Sequence, residues 1–274
     1  MSPDEVPGPR RGQASGSGTP DGAPSRAALV TALREAGCVF AEDEAALLLA
    51  APGPVAPLLA RRISGEPLEQ VLGWAAFDGL RITVRPGVFV PRRRSELLVR
   101  LAADGVRAGD VAVDLCCGSG ALGAALCHRV PGLELHAADL DPGAVGCARS
   151  NLPGAAVWHG DLWDALPGRL HGRVRVALAN APYVPSAAIA LMPAEARDHE
   201  PRLTLDGGGD GLDVHRRIAA AAHEWLAPGG RLLIEVARAQ AGQAVTLFER
   251  AGLRAAVHTD DDWDATAVVG TLPL

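Results

Sequence analysis

The chain has 274 residues, 48% of them hydrophobic, and a formal net charge of −6; it has no lysine, so all 26 basic residues are arginine. This length suits an α/β domain with a small additional domain. The negative charge disfavours a protein whose affinity comes from neutralising many phosphates. No apolar run reaches the roughly 18 residues of a membrane helix, which predicts a soluble, cytoplasmic protein. The five cysteines lack CxxC spacing, so we expect free thiols and no metal site.

The N-terminal part of the chain predicts a tail followed by a small helical domain. Residues 1–24 are rich in Pro, Gly and Ser and are expected to be disordered. Residues 25–75 are expected to hold three short amphipathic helices. The first follows Ser25 as its N-cap and ends at Gly37, and the others span Glu42–Ala51 and Val55–Ile63.

Residues 76–98 predict a β-hairpin connector. Leu80–Val84 and Val88–Val90 are short apolar runs on either side of an Arg85-Pro86-Gly87 turn. The Arg92-Arg93-Arg94 run that follows is typical of a solvated surface, with attraction of an acidic partner as the alternative.

Residues 99–274 show a regular alternation of strand and helix patterns. The predicted strands are Val111–Leu115, Leu133–Leu140, Ala156–Leu162, Val174–Ala179, Arg231–Val236, Arg254–Thr259 and Thr266–Thr271. The clearest helices between them are Asp213–Leu226 and Gln240–Ala251. This pattern predicts a doubly wound seven-stranded sheet whose last two strands are antiparallel.

The predicted buried strand Val174–Ala179 is followed by Asn180-Ala181-Pro182-Tyr183, and Tyr183 is the single tyrosine of the chain. Ligands of open α/β sheets bind at the carboxyl ends of the strands. An amide followed by a rigid proline and an aromatic side chain is therefore a candidate site, although an ordinary Asn-containing turn gives the same pattern.

The first strand leads into Asp114-Leu115-Cys116-Cys117-Gly118-Ser119-Gly120, a glycine-rich turn that opens a helix. Its glycines allow the backbone to approach a ligand closely. The segment also matches the GxGxxG pattern of dinucleotide sites, which is a weak signal when it stands alone.

Three carboxylates at strand ends bear on whether the ligand is a dinucleotide or S-adenosylmethionine, and Asp114 discriminates best between the two. Asp139 follows the glycine-rich turn by about twenty residues and suits the hydroxyls of a ribose, which both a dinucleotide and S-adenosylmethionine carry. Asp114 suits a cationic or amine-bearing ligand better than a pyrophosphate, and S-adenosylmethionine carries a sulfonium and an ammonium. Asp161 is positioned for the amino group of adenine, with Leu162 beside the ring. Each alone is equally explained as a capping or turn carboxylate.

The chain carries, in this order, Asp114-x-x-x-Gly118-x-Gly120, Asp139, Asp161 and Asn180-Ala-Pro-Tyr183. With this order it resembles the HemK/PrmC family of S-adenosylmethionine-dependent methyltransferases, which act on the glutamine of the GGQ loop of peptide chain release factors. The resemblance runs from about Glu66 to the C-terminus and includes Val90-Pro91-Arg92 through Ser95-Glu96. It implies a class I methyltransferase fold with an N-terminal helical domain and a hairpin. It also implies a cofactor site and a substrate site. The cofactor residues are Asp114, Cys116, Cys117, Gly118, Ser119, Gly120, Asp139, Asp161, Leu162 and Asn180, and the substrate residues are Asn180, Ala181, Pro182 and Tyr183.

The chain departs from the family pattern in the NAPY sequence that replaces NPPY and in Cys116-Cys117, where the family has Gly-Thr or Gly-Ser. Since residue 181 acts through its backbone carbonyl, we expect alanine to keep the activity. Four alternatives stay open: methylation of a nucleic-acid base, methylation of a glutamine in a ribosomal protein, a non-catalytic cofactor-binding module and, on the GxGxxG pattern alone, a dehydrogenase. A base would have to be flipped into the site, which usually needs a basic surface, so nucleic acid is the less expected substrate.

Overall fold

The computed structural model describes residues 24–274, and residues 1–23 of the predicted tail lie outside the described part. The chain divides into two compact units between Leu59 and Ala60. This division falls inside the third helix, α3 (Val55–Ile63). The sequence analysis places the domain boundary later, after residue 75.

The first unit contains a pair of packed helices, α1 (Arg26–Glu35) and α2 (Ala41–Ala50). The predicted N-cap of α1 is confirmed, because the Ser25 hydroxyl accepts a hydrogen bond of 3.2 Å from the backbone N–H of Ala28. Leu29 and Leu33 are fully buried, as expected from their helical spacing.

The second unit contains a short helix, α4 (Leu68–Leu72), and then a β-hairpin in which β1 (Trp74–Phe77) pairs antiparallel with β2 (Leu80–Thr83). The predicted pairing of Leu80–Val84 with Val88–Val90 is therefore wrong. The turn is Asp78-Gly79, with φ angles of +48° and +77°. An Asp-Gly pair with both φ angles positive suits a two-residue hairpin turn. Residues 85–88 still form a turn, closed by the Val88 N–H and the Arg85 carbonyl at 3.1 Å.

A seven-stranded sheet forms the rest of this unit. Its strands are β3 (Val111–Leu115), β4 (Glu134–Asp139), β5 (Ala156–His159), β6 (Val174–Ala179), β7 (Leu226–Glu235), β8 (Arg254–Asp260) and β9 (Ala265–Thr271). The helices are α5 (Glu96–Ala103), α6 (Ala121–Arg129), α7 (Pro142–Asn151), α8 (Ala194–His199), α9 (Asp213–Trp225) and α10 (Ala241–Arg250). All seven predicted strands are present, although β5 ends three residues before the predicted Leu162 and β7 begins earlier than Arg231.

The strand order is β5-β4-β3-β6-β7-β9-β8, and β9 runs antiparallel to both of its neighbours. The order reverses between β3 and β6, which pair in parallel with Leu115 opposite Ala179. A crevice opens at such a switch point, beyond the carboxyl ends of the strands. The predicted glycine-rich loop and the predicted Asn180 turn follow these two adjacent strands.

Alternate residues of the central strands supply two cores, one on each face of the sheet. On β6, Val176 and Leu178 belong to the core that includes residues of α5, α6 and α7. Val174 and Ala177 belong to the opposite core, which includes residues of α9 and α10. The centre of the sheet is thus covered on both faces, which explains why strands such as β3 and β6 are almost entirely apolar. No helix within residues 24–274 is long and apolar enough to cross a membrane.

Candidate active site

A cavity lies at the switch point of the sheet, and most of the predicted site residues line it. The predicted residues on its wall are Cys116, Cys117, Gly118, Ser119, Asp139, Asp161, Leu162, Asn180 and Pro182. Four predicted residues do not line it: Asp114, Gly120, Ala181 and Tyr183. Local geometry explains why some predicted residues line the cavity and others do not.

Asp114 lies beneath the glycine-rich loop and is fully buried. Its Oδ2 accepts a hydrogen bond of 2.9 Å from the Gly123 N–H in the first turn of α6, and its Oδ1 has no hydrogen-bond partner among the described residues. Burial raises the pKa of this carboxyl to about 7, although the Gly123 N–H opposes the shift. In this structure Asp114 holds the loop and the helix together and does not line the cavity, and its expected contact with a ligand stays a prediction.

The two glycines of the loop serve different purposes. At Gly120, with φ +78°, an added Cβ would lie 2.9 Å from Leu152 Cδ1 and 3.2 Å from Ala148 Cα. This glycine is therefore required by the packing of α6 against α7. At Gly118, with φ +54°, an added Cβ would have no heavy atom within 4 Å. Gly118 faces the open cavity, so it is the position at which the backbone is available to a ligand.

Cys116 also has a left-handed backbone, with φ +54°. This conformation is uncommon for a residue other than glycine and is costly. A glycine would adopt the same conformation without this cost. Burial raises the pKa of the Cys116 thiol well above its usual range, and the neighbouring Asp139 raises it further. The thiol is therefore neutral and serves as a small apolar group of the wall.

Asp139, at the carboxyl end of β4, is held in place by two backbone N–H groups. Its Oδ2 accepts from the Gly118 N–H at 2.8 Å and its Oδ1 from the Asp141 N–H at 2.9 Å. A carboxylate accepts about four hydrogen bonds. Each oxygen of Asp139 therefore keeps capacity for a further donor in the cavity. Burial raises its pKa, and the two N–H groups oppose this shift.

Asp161 and Leu162 lie beyond the end of β5, in a turn that the sequence analysis assigned to the strand. The Asp161 Oδ2 accepts a hydrogen bond of 2.6 Å from Arg217 on α9, and both residues line the cavity. Leu162 has a left-handed backbone, with φ +48°. Leu140 also lines the cavity and is 50% exposed, so two leucines offer apolar surface beside the two carboxylates.

Asn180 directly follows β6, and its side chain is oriented by Ser95. The Asn180 Nδ2 donates a hydrogen bond of 3.0 Å to the Ser95 hydroxyl. Both residues line the cavity, whereas the Asn180 Oδ1 accepts no hydrogen bond from the described residues. The amide oxygen is thus an oriented acceptor with free capacity. Ala181 behind it is 1% exposed, and Pro182 returns to the cavity wall.

Tyr183 does not line the cavity. Its hydroxyl donates a hydrogen bond of 3.1 Å to Glu235 Oε1, and its backbone carbonyl accepts one of 2.9 Å from Gln240 Nε2. The predicted stacking of Tyr183 on a substrate stays a prediction; within the protein, the Tyr183 hydroxyl is bound to Glu235.

Sequence reasoning missed several residues that hold or line the site, namely Ser95, Leu140, Arg217, Glu235 and Gln240. Glu235 carried a usable signal, because a charged residue at the carboxyl end of a buried strand is the pattern that singled out Asp139. Ser95 was noticed only as part of the Val90–Glu96 motif. Nothing in the sequence near Arg217 pointed to Asp161, since the two lie on different elements.

We expect Ser95→Ala to lower the turnover number by about fivefold while leaving cofactor affinity unchanged. The variant removes the partner of Asn180 Nδ2, so the amide rotates more freely and loses about 1 kcal/mol of orientation. Steady-state kinetics with cofactor titrations measure both effects. Ser95→Thr retains a hydroxyl and serves as the matched control, and full activity of Ser95→Ala would contradict the role of this hydrogen bond.

Comparisons with known proteins identify relatives of this chain. Residues 79–193 match the family described as Methyltransferase small domain. A release factor glutamine methyltransferase of Streptomyces coelicolor is 43% identical over 211 residues, covering 74% of this chain and 75% of the relative. A 4-amino-L-phenylalanine/4-methylamino-L-phenylalanine methyltransferase of Streptomyces pristinaespiralis is 37% identical over 213 residues, covering 73% and 72%. The crystal structure of a methyltransferase from Pyrococcus furiosus superposes with a TM-score of 0.53 at 16% identity, covering 78% of this chain and 98% of that one.

The strand order with its antiparallel edge defines the class I S-adenosylmethionine-dependent methyltransferase fold, which confirms the predicted fold class. The chain belongs to the family of release factor glutamine methyltransferases. This membership decides between the two interpretations of the glycine-rich loop, in favour of a methyltransferase over a dehydrogenase.

Proposed function

We propose that the protein transfers a methyl group from S-adenosylmethionine to the side-chain amide of a glutamine in a protein, namely the GGQ loop of a peptide chain release factor. The observation that carries this proposal is the oriented Asn180 amide, held by Ser95 at 3.0 Å beside the glycine-rich loop. Such an amide offers a fixed acceptor to a planar N–H₂ group. Membership in the family supplies the substrate class.

The residues around the glycine-rich loop fit S-adenosylmethionine. Asp139 has spare acceptor capacity for ribose hydroxyls, Gly118 leaves open space above its backbone, and Leu162 offers apolar surface to an adenine ring. The Asp114 carboxylate already accepts from the N-terminus of α6, through Gly123. A pyrophosphate would compete with it for the same positive end of the helix, so a cofactor without phosphate suits the site better. S-adenosylmethionine, when bound, supplies an electrophilic methyl group.

The substrate side of the site is suited to raise the low nucleophilicity of a carboxamide nitrogen. The nitrogen lone pair of a carboxamide is delocalised into its carbonyl, so the nitrogen is a weak nucleophile. In our proposal, Asn180 Oδ1 on the cavity wall accepts one N–H of the substrate amide, and the adjoining backbone carbonyl of Ala181, a residue that is not itself on the wall, accepts the other. These two acceptors orient the nitrogen and stabilise the positive charge that develops on it. No strong base is required before methyl transfer, and the nitrogen afterwards releases its proton to water.

The alanine in NAPY should matter little, because the proposed acceptor at position 181 is a backbone oxygen. We expect Ala181→Pro to change the turnover number by less than about threefold, since proline only restricts the backbone further. Steady-state turnover of the two forms at saturating substrate measures this. A gain or loss of more than about tenfold would mean that the side chain at this position, and not its carbonyl, controls the reaction.

The proposed function is tested by incubating the protein with a release factor and S-adenosylmethionine labelled in its methyl group. Mass spectrometry of the digested release factor should locate one added methyl group on the glutamine of the GGQ loop. A release factor with that glutamine replaced by alanine is the matched control and should stay unlabelled. Labelling of both forms, or of neither, would overturn the assignment.

A second candidate function is methylation of an aromatic amine. One relative is named for 4-amino-L-phenylalanine and covers nearly the same share of this chain as the release factor methyltransferases do. An aniline N–H₂ is planar and conjugated, as the glutamine amide is, and Phe77, Phe89 and Leu203 give the cavity apolar surface. Assays with 4-aminophenylalanine beside the release factor separate the two, because turnover of the free amino acid alone would favour this candidate.

A further inference from the structure

A buried charged network lies behind the Asn180–Tyr183 turn. Its centre is Glu235, which is 3% exposed at the carboxyl end of β7. The Glu235 Oε1 accepts hydrogen bonds from Arg94 Nε at 3.0 Å and from the Tyr183 hydroxyl at 3.1 Å. A buried carboxylate needs such partners to offset its lost hydration. The network therefore fixes the position of the Tyr183 side chain.

Arg94 and Gln240 also contact Tyr183. The Arg94 guanidinium carbon lies 5.9 Å from the ring centroid, while Gln240 holds the backbone carbonyl of the same residue at 2.9 Å. Burial raises the pKa of Tyr183 well above its usual range, and the Glu235 carboxylate raises it further. The phenol thus stays protonated and keeps donating to Glu235 at neutral pH.

Arg94 and Ser95 belong to the same three-residue turn, Arg93–Ser95. Ser95 binds the Asn180 amide at one end of the NAPY segment, and Arg94 reaches Tyr183 through Glu235 at the other end. Both ends of the segment are consequently attached to one short piece of backbone. This arrangement leaves the carbonyl of residue 181 little freedom relative to the Asn180 amide.

We propose that Arg94 and Glu235 are positioning residues for methyl transfer, which act through Tyr183 to hold the NAPY segment in its reactive geometry. The inference rests on the proposed function, in which Asn180 and the carbonyl of Ala181 receive the substrate amide. Neither Arg94 nor Glu235 lines the cavity, and the proposed function gives neither of them a contact with the substrate amide. A displacement of an acceptor by about 1 Å lowers turnover on the order of a hundredfold.

The test uses the fact that Tyr183 is the single tyrosine of the chain. Biosynthetic labelling with fluorotyrosine gives one fluorine resonance, which reports the surroundings of this ring alone. We expect Glu235→Gln and Arg94→Ala each to shift or broaden the resonance. Arg173→Ala removes an exposed ion pair with Glu134 near the opposite end of β6 and is the matched control, with no change expected. A resonance unchanged in both network variants overturns the inference.

Kinetics separate positioning from a general structural effect. In both network variants we expect the turnover number to fall ten- to a hundredfold, on the order of a misplaced acceptor, with the affinity for S-adenosylhomocysteine within about twofold. Combining Glu235→Gln with Tyr183→Phe should lower turnover no further than the worse single variant, because Glu235 acts through the phenol. Additive losses of turnover in the double variant would show that Glu235 does not act through the Tyr183 hydroxyl. If Glu235→Gln does not fold, Arg94→Ala decides, since its side chain is 41% exposed.

The outcomes also distinguish this inference from the proposed function. If the wild-type protein methylates neither a release factor nor 4-aminophenylalanine, the proposed function fails, and the fluorine spectra still decide whether Arg94 and Glu235 fix Tyr183. If the wild-type protein is active and both network variants turn over normally, the inference fails and the proposed function stands.

Discussion

Asn180→Ala is expected to abolish methyl transfer, with a fall in turnover of at least about a hundredfold, as for the loss of a single group that stabilises developing charge. The variant removes the amide oxygen proposed to accept a substrate N–H. It also frees the Ser95 hydroxyl, to which the Asn180 Nδ2 donates at 3.0 Å. Cofactor affinity should stay within about tenfold, or roughly 1.4 kcal/mol. Labelled-methyl transfer and calorimetric titration with S-adenosylhomocysteine measure the two quantities separately.

The chain offers a matched control for the loss of this carboxamide. Gln243 is exposed on α10, so Gln243→Ala removes a side-chain amide without touching the cavity. Its turnover and cofactor affinity should equal those of the wild type. Normal turnover of Asn180→Ala would remove the basis of the proposed function, whereas a large loss of cofactor affinity would reassign Asn180 to the cofactor side of the site.

Asp139→Ala is expected to weaken cofactor binding by about 1.5 to 3 kcal/mol if the carboxylate accepts the ribose hydroxyls through charged hydrogen bonds. The same change leaves the backbone N–H groups of Gly118 and Asp141 without their acceptor, which loosens the loop over the cofactor. The dissociation constant of S-adenosylhomocysteine should rise about ten- to a hundredfold. Turnover at saturating cofactor should recover most of the wild-type value, because Asp139 does not hold the substrate amide.

Asp262→Ala is the matched control for this loss of a carboxylate, since Asp262 is exposed in the turn between β8 and β9. Its cofactor affinity should not change. An unchanged dissociation constant in Asp139→Ala would contradict the proposed contact with the ribose. A turnover that stays low at saturating cofactor would indicate that the loop also shapes the substrate side.

The sequence predicted the architecture well because strand and helix patterns depend on residues close together in the chain. The apolar runs from Val111 to Thr271 identified all seven strands, and the final adjacent pair indicated the antiparallel edge. The errors were local. Asp78-Gly79 is a hairpin turn that was overlooked in favour of Arg85-Pro86-Gly87, and the strand assigned up to Leu162 ends at His159.

The sequence predicted part of the candidate site, because the ends of the strands could be read from local patterns. Parallel strands bring their carboxyl ends to one edge of the sheet, so the loop after β3, Asp139 and Asn180 meet whatever their detailed contacts are. Side-chain direction was less predictable. Asp114 and Tyr183 have the expected places in the chain, yet one lies beneath the loop and the other faces Glu235.

By itself, the sequence determined the class of fold, the edge of the sheet that carries the site and the residue types available there. Only the tertiary structure decided which side chains orient the others. Ser95 reaches Asn180 across 85 residues of chain, and Arg94 reaches Glu235 across 141. Such pairs leave no periodic signal, because they depend on strand order and on the packing of separate elements. Local patterns therefore indicated the groups proposed to react, and long-range packing determined the groups that hold them in place.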